Sequence, residues 1–478
     1  MNLGEQYLQR INDGRKVWLR NQVIDHVAKH PVFAETTRTI ADLLNKQTTP
    51  ETCEELSYTN QDNTSRTNMA FLVPRSIEDL FRRHNAFKYY ANATFGVTDG
   101  LSQYARSVLT GHYASRNFIG IGNHYSRKLE AYYKLVSEND LLCTIASHDP
   151  QENRSHLPSK LDGSDSRLRV VNETKEGIIV RGARMAAANA PYVDEILISF
   201  YDPRSREDQH HGSMFAVAAH TPGVHIVCRD SFVTKEIENH PLSGRYEDMD
   251  SVIIFDDVLV PWERVFIASD PEAIKKVQQD PVAAALAQHQ SVVRLLSNLE
   301  FIAAVGHALT SASEVKTLLH VQEKMGELII QLEAIKGLLL SAEHRSSPIY
   351  ENIWLPDERT LHTARNLGAR FYPRSIEILQ QVGSDTLLQN PATLEEFNGP
   401  IGHLLRNYYR GADREALERT KLIKLAWDLV GSPLATRRKI QEQFFWGDPV
   451  QALAVQYENY PKESLTEAVW KLVETKSR

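Results

Sequence analysis

The chain has 478 residues, 42% hydrophobic and 24% charged, with 23 Gly and 20 Pro, a composition that excludes collagen-like, disordered and low-complexity classes. At roughly 150 residues per domain this length predicts two or three units, and a net charge of −7 with both signs interspersed excludes the electrostatic footprint of a nucleic-acid partner. The three cysteines, Cys53, Cys143 and Cys228, are far apart and odd in number, which predicts neither a disulfide framework nor a CxxC metal site and fits a reducing, cytoplasmic setting.

Residues 1–141 read as a helical unit. The opening MNLGEQYLQRINDGRKVW alternates charges with apolar residues and lacks the apolar core of a signal peptide. Ser76 is a plausible N-cap, with Glu78 and Asp79 behind it and apolar residues at Ile77, Leu80, Phe81, Phe87 and Tyr90 at helical spacing. Tyr125 to Val136 repeats the pattern. From 142 to 275 the period changes to short β-branched runs: LRVV (168–171), GIIVRGA (177–183), EILISF (195–200), FAVAAH (215–220), VHIVC (224–228) and SVIIFDDVLV (251–260). These predict an antiparallel β-barrel or sandwich between helical parts. From 276 to 478 helices return, with one stripe through Val292, Leu295, Leu299 and Ile302 and another through Met325, Leu328, Leu332 and Ile335, which predicts a four-helix bundle. No apolar run of about 18 residues predicts a membrane span.

Phosphate-binding and hydrolytic motifs are absent. GIGNH (120–124) lacks GxGxxG spacing and follows no strand, and neither GxSxG nor HExxH occurs. His210 and His211 are adjacent and read as a solvated loop, so no metal site is expected.

Helices, then a β unit, then a bundle is the order of the α+β acyl-CoA dehydrogenase-like fold. The segments GEQYLQRINDGRKVW (4–18), FLVPRSIEDL (71–80), HPLSGRYEDMDSVIIFDDVLVPWERVF (240–266) and ERTKLIKLAWDLVGS (418–432) make the chain resemble the 4-hydroxyphenylacetate 3-monooxygenase oxygenase-component family. Most of these residues read as scaffold, marking descent more than chemistry. The resemblance implies a homotetramer. It also implies FADH2 supplied by a separate NAD(P)H:flavin reductase, with O2 as co-substrate, and hydroxylation through a flavin C4a-hydroperoxide.

Carried over residue by residue, the family's substrate-binding Tyr is Tyr104 in TFGVTDGLSQYAR (94–106), and the Arg one helical turn earlier falls on Gly100. The family's phenol-binding His falls on Cys143 in CTIASHDPQENR (143–154). Thr144, Ile145, Pro150 and Arg154 are implied flavin contacts from the same segment. Ala188 stands where a flavin-bonding Thr is implied, with Asn189 as its replacement, and Trp446, Gly447, Asp448 and Pro449 correspond to a C-terminal turn that meets flavin. A phenol of pKa near 10 must be partly ionised to react, which takes roughly 4 kcal/mol of phenolate stabilisation that Gly100 and Cys143 do not supply. His148 and Arg106 are the candidate replacement cations, although His148 also reads as a surface loop residue. The implied substrate is therefore a small electron-rich aromatic, heteroaromatic or amine other than 4-hydroxyphenylacetate.

An acyl-CoA dehydrogenase-like desaturase and a non-catalytic flavin-binding protein remain alternatives. A related dehydratase of the same fold needs an iron–sulfur cluster on three Cys and one His, and Gly100 and Tyr104 stand on the helix where two of those Cys belong.

Overall fold

The computed structural model describes residues 2–59, 66–150, 166–198, 212–233, 236–445 and 447–474. The chain opens with α1 (Leu3–Arg10), whose cap Asn2 and third residue Glu5 satisfy each other's backbone N–H groups in a capping box. Two short strands, β1 (Lys16–Leu19) and β2 (Gln22–Ile24), precede α2 (Ala34–Lys46). After α3 (Cys53–Leu56) and the paired β3 (Ser57–Thr59) and β4 (Arg66–Asn68) come three helices. They are α4 (Ile77–Ala93), α5 (Gln103–Ser115) and α6 (Asn123–Glu138). The Ser76 hydroxyl accepts from the Asp79 N–H at the head of α4, so this helix starts where the cap signal predicts.

The β part contains β5 (Cys143–Ala146), β6 (Arg169–Glu173), β7 (Gly177–Ala188), β8 (Glu195–Ile198), β9 (Met214–Ala218), β10 (Val224–Cys228), β11 (Asp250–Pro261) and β12 (Val265–Ile267). The predicted strands all appear, with residues 199 and 200 of EILISF outside the described residues. Their arrangement differs from a simple antiparallel barrel. The described strands make a six-stranded sheet of order β2-β1-β10-β11-β7-β6 and a four-stranded sheet of order β12-β9-β8-β5. The pairs β1/β10 and β5/β8 are parallel, which the short connections expected of a meander do not allow.

The first unit also crosses its expected boundary at 141/142. Strands β1 and β2 join the β sheet, and Tyr7, Phe33, Ile40 and Leu44 share one core with Val180, Ile196, Ile226 and Phe255. Helix and sheet therefore bury a common face, and residues 1–141 are not a separate core.

The rest is helical: α7 (Pro271–Gln279), α8 (Pro281–Ala312) and α9 (Leu319–His344), the small pair β13 (Ser347–Ile349) and β14 (Ile353–Leu355), then α10 (Glu358–Gly383), α11 (Gly402–Tyr408), α12 (Ala416–Val430), α13 (Pro433–Phe444), α14 (Pro449–Glu458) and α15 (Glu463–Glu474). Helices α8, α9, α10 and α12 pack on one another through Val292, Leu299, Leu328, Ile335, Ile376 and Ile423. Helix α8 is by length and composition apolar enough to cross a membrane, but 72% of its most apolar window is buried inside the protein. Its apolarity on every side is that of a central core helix, packed by α4, α5, α9 and α10.

Candidate active site

A cleft of about 920 Å³ opens where the N-terminal helices, the β sheets and α13 meet. One wall is β5 and the segment after it, where Cys143, Thr144, Ile145, Ser147 and His148 face the cleft. Thr144 Oγ1 donates to the Ala188 carbonyl at 2.6 Å, and the His148 carbonyl accepts from the Met185 N–H at 2.7 Å. These bonds hold the segment along β7 and bring Ala188 and Asn189 into the same wall.

The floor is the turn 94–102 and the start of α5. Gly96 (φ +68) lies so close to α8 that a Cβ there would sit 2.8 Å from the Asn298 nitrogen, so only glycine fits. Its carbonyl accepts from Arg438 Nη2 at 2.8 Å and Arg294 Nη1 at 3.3 Å, and the Val97 carbonyl accepts from Arg438. Both guanidiniums are buried and answered by Glu442, which Arg294 grips through both oxygens at 2.5 and 3.1 Å and Arg438 reaches at 3.1 Å. Burial alone would raise the Glu442 carboxyl, but Arg294 and Arg438 outweigh it and hold the pKa below the usual range.

The third wall is α13. Arg437 bridges to Asp248 and Asp250, at 2.5 Å to Asp250 Oδ1, and so fastens α13 to the β part. Burial works against the Arg437 charge, yet the two carboxylates raise its pKa, and Arg437 in turn keeps Asp248 low against its own burial. Asn189, in a left-handed conformation (φ +61), donates Nδ2 to Asp248 at 2.6 Å. Its buried Oδ1 has no hydrogen-bond partner among the described residues.

Comparison with known proteins adds lineage to this geometry. Residues 3–267 match the family described as 4-hydroxyphenylacetate 3-hydroxylase N terminal, and residues 278–474 match 4-hydroxyphenylacetate 3-hydroxylase C terminal. The chain belongs to this family. It is 35% identical over 98% of its length, and 96% of the relative's, to the 4-hydroxyphenylacetate 3-monooxygenase oxygenase component of Thermus thermophilus. A crystal structure of such an oxygenase component complexed with FAD superposes with a TM-score of 0.93 at 34% identity, covering 98% of both chains. The 4-nitrophenol 2-monooxygenase oxygenase component of Rhodococcus is 28% identical over 93% of this chain and 86% of its own.

Among the residues singled out in the sequence, Tyr104, Cys143, Thr144, Ile145, His148, Ala188 and Asn189 meet in the cleft. Tyr104 packs edge-on against Phe445 at 5.2 Å, and burial raises its pKa, so it stays a neutral hydroxyl. Cys143 is 3% exposed, and burial pushes its thiol far above the ordinary value, so no thiolate forms there. His148 is exposed at the mouth, its Nδ1 3.2 Å from Ser147 Oγ.

Arg106 is a correction. It is fully buried on the other side of α5 from the cleft, where its guanidinium donates to the Asp140 and Leu141 carbonyls and pairs with the Asp140 carboxylate at 2.8 Å. Two residues along a helix turn the side chain by about 200° from Tyr104, so Arg106 secures the entry to β5 and does not line the cleft. Gly100 is a second correction. Helix α5 begins at Gln103, after Ser102 at φ +56, so Gly100 (φ +62) lies in the preceding turn, not one helical turn from Tyr104. A Cβ there would point at Leu43 Cδ1, 3.1 Å away, and Gly100 does not line the cleft. Pro150 lies in a separate groove with Met185 and His225, and Asp448 caps α14 at the surface, with Gly447 and Pro449 beside it and outside the cleft lining. Arg154, Trp446, His210 and His211 lie outside the described residues.

Placing arginine at position 100 is accordingly expected not to create a phenolate-binding cation. Gly100→Arg should lower stability by about 1–2 kcal/mol from the left-handed backbone alone, and leave 4-hydroxyphenylacetate turnover unchanged or reduced. A gain in that turnover, measured as hydroxylated product per minute, would show that the new side chain turns into the cleft.

Sequence reasoning missed Asp99, Asp248, Asp250, Arg294, Arg437 and Arg438, all of which line the cleft. The signal for Asp248 and Asp250 was present in the segment 240–266, where a scaffold reading hid them. Away from the cleft, Glu343 Oε1 lies 2.6 Å from His84 Nδ1 and 2.7 Å from His289 Nε2, a buried cluster on α4, α8 and α9. All three candidate ligand atoms lie within 4.8 Å of one another, a grouping the sequence reading, which expected no metal site, did not bring together.

Proposed function

We propose that this chain is the oxygenase component of a two-component flavin monooxygenase that hydroxylates a small electron-rich aromatic other than 4-hydroxyphenylacetate, with FADH2 delivered by a separate flavin reductase. The strongest support is the end-to-end likeness to an oxygenase component complexed with FAD, combined with a cleft in the size range of ligand sites. The residues present suit a flavin ring: the orphaned Asn189 Oδ1 offers an acceptor to a ring N–H, and Thr144, Ile145 and Ala188 give a flat, small-residue wall beside it. Bound reduced flavin activates O2 and supplies one oxygen atom to the substrate.

The chain's own contribution is positioning and exclusion of water. Tyr104 offers a neutral O–H to a substrate oxygen or nitrogen, while Ile440 and Phe444 of α13, with Phe445 just past its end, give the cleft an apolar side. The positions expected to carry the phenolate clamp supply no cation: Gly100 faces away, Cys143 remains a thiol, and Arg106 is committed to Asp140. This supports a substrate that needs less ionisation than 4-hydroxyphenylacetate. The relative named for 4-nitrophenol supports variation of the phenol within the family. Exposed apolar residues on α14 and α15, among them Val450, Tyr457, Leu465 and Trp470, support assembly with further copies as a homotetramer.

The test is turnover. Purified chain with FAD, O2 and an NADH:flavin reductase is expected to hydroxylate a phenol or aniline from a substrate panel, and to leave NADH unconsumed without the reductase. Flavin binding without product from any panel member would favour a non-catalytic flavoprotein. Tyr104→Phe is expected to lower kcat/KM about fivefold, the worth of one hydrogen bond of about 1 kcal/mol. An unchanged value would remove Tyr104 from the reaction.

A further inference from the structure

The cations that line the cleft are matched: Arg294 by Glu442, Arg437 by Asp248 and Asp250, and Arg438 by Glu442 and two backbone carbonyls. Asp99 is not. Its Oδ2 accepts from the Tyr104 N–H at 3.1 Å and its Oδ1 from Gln290 Nε2 at 2.9 Å, both neutral donors, and it forms no ion pair among the described residues. Each carboxylate oxygen accepts two hydrogen bonds, so a side of Asp99 remains open to the cleft it lines.

We propose that Asp99 is the substrate-recognition residue of this cleft and that it binds a protonated amine carried by the aromatic substrate. This rests on the hydroxylase reading above and deepens it. A lone carboxylate beside Tyr104 attracts a cationic tail, repels a carboxylate tail, and gains a charge-assisted bond that a neutral ligand does not offer. Burial raises the Asp99 carboxyl to about 7, against the hydrogen bond from the Tyr104 N–H and the charges of Arg294 and Arg106, with Asp248 adding to the rise. A bound ammonium supplies the counter-charge that the protein withholds.

Asp99 also accepts from the Tyr104 N–H in the first turn of α5, a bond that an asparagine side-chain oxygen can accept as well, so Asp99→Asn removes the charge and keeps that bond. Three phenols that differ in the charge of the tail serve as probes: tyramine, 4-ethylphenol and 4-hydroxyphenylacetate. Anaerobic equilibrium binding to the FADH2-loaded full chain is expected to rank them in that order, with tyramine at least tenfold tighter than 4-ethylphenol. D99N is expected to weaken tyramine at least tenfold, bring the three within about threefold of one another, and leave the melting midpoint unchanged.

Equal affinities in the unmodified protein, a tyramine preference that survives D99N, or no binding of any probe overturns the proposal. Reduced FADH2 affinity in D99N with the tail preference intact also overturns it, assigning Asp99 to the cofactor. Tyramine bound with the expected preference, yet never hydroxylated when O2 is admitted, upholds the recognition role and removes the hydroxylase reading.

Discussion

Replacing Glu442 with alanine is expected to destabilise the protein by about 3–5 kcal/mol and to abolish flavin binding, the largest effect of any single change near the cleft. Glu442 is 4% exposed and is the one carboxylate that answers both Arg294 and Arg438 among the described residues. Without it two buried guanidiniums face each other with no carboxylate between them, and the cost of burying their charges is left uncompensated. These same guanidiniums hold the Gly96 and Val97 carbonyls, so the cleft floor loosens with them. Glu442→Gln keeps the shape and loses the charge, and should fall between wild type and alanine. Urea unfolding and FADH2 titration of the three proteins measure this. A loss below about 1 kcal/mol for alanine would mean that water reaches the arginines, contrary to their burial.

The second large effect is acid lability centred on Glu343. Burial by itself would raise this carboxyl, but the hydrogen bonds from His289 and His84 prevail and depress it from 4.5 to about 2. A depressed carboxyl contributes stability that is complete above its unfolded value and is lost as pH falls through the folded one. The unfolding midpoint should therefore decline from about pH 4.5 towards 2, as the unfolded chain takes up the proton that the folded carboxylate refuses. Glu343→Ala should remove this acid limb and cost about 3–5 kcal/mol at neutral pH, because two imidazoles lose their shared partner in the core. Urea titrations from pH 7 to 3 decide it. A variant as stable as wild type would show that the cluster is neutral and loosely held.

Much of this fold was legible because periodicity is local. The N-cap of α4, the β-branched runs of β10 and β11, and the stripes of α8 and α9 lie within single elements, and the local sequence alone placed them. Strands β1 and β2 were not legible, since they are only four and three residues long and their place in the sheet comes from pairing β1 with residues 225–227, far along the chain. The site was half legible. Cys143, Thr144 and Tyr104 carry a linear motif, whereas the direction of Arg106 and the position of Gly100 depend on where α5 begins. That start is set by the left-handed Ser102, a conformation no residue type there announces. Arg294, Arg437 and Glu442 are distributed over α8 and α13, and their convergence is a property of packing.

The clamp of Arg437 on Asp248 and Asp250 joins segments nearly 190 residues apart in sequence. The cleft is therefore a property of the whole chain: the wall of β5 and the floor of turn 94–102 come from its first 150 residues, and the third wall comes only from α13. A fragment that stops short of α13 carries the first two without the third.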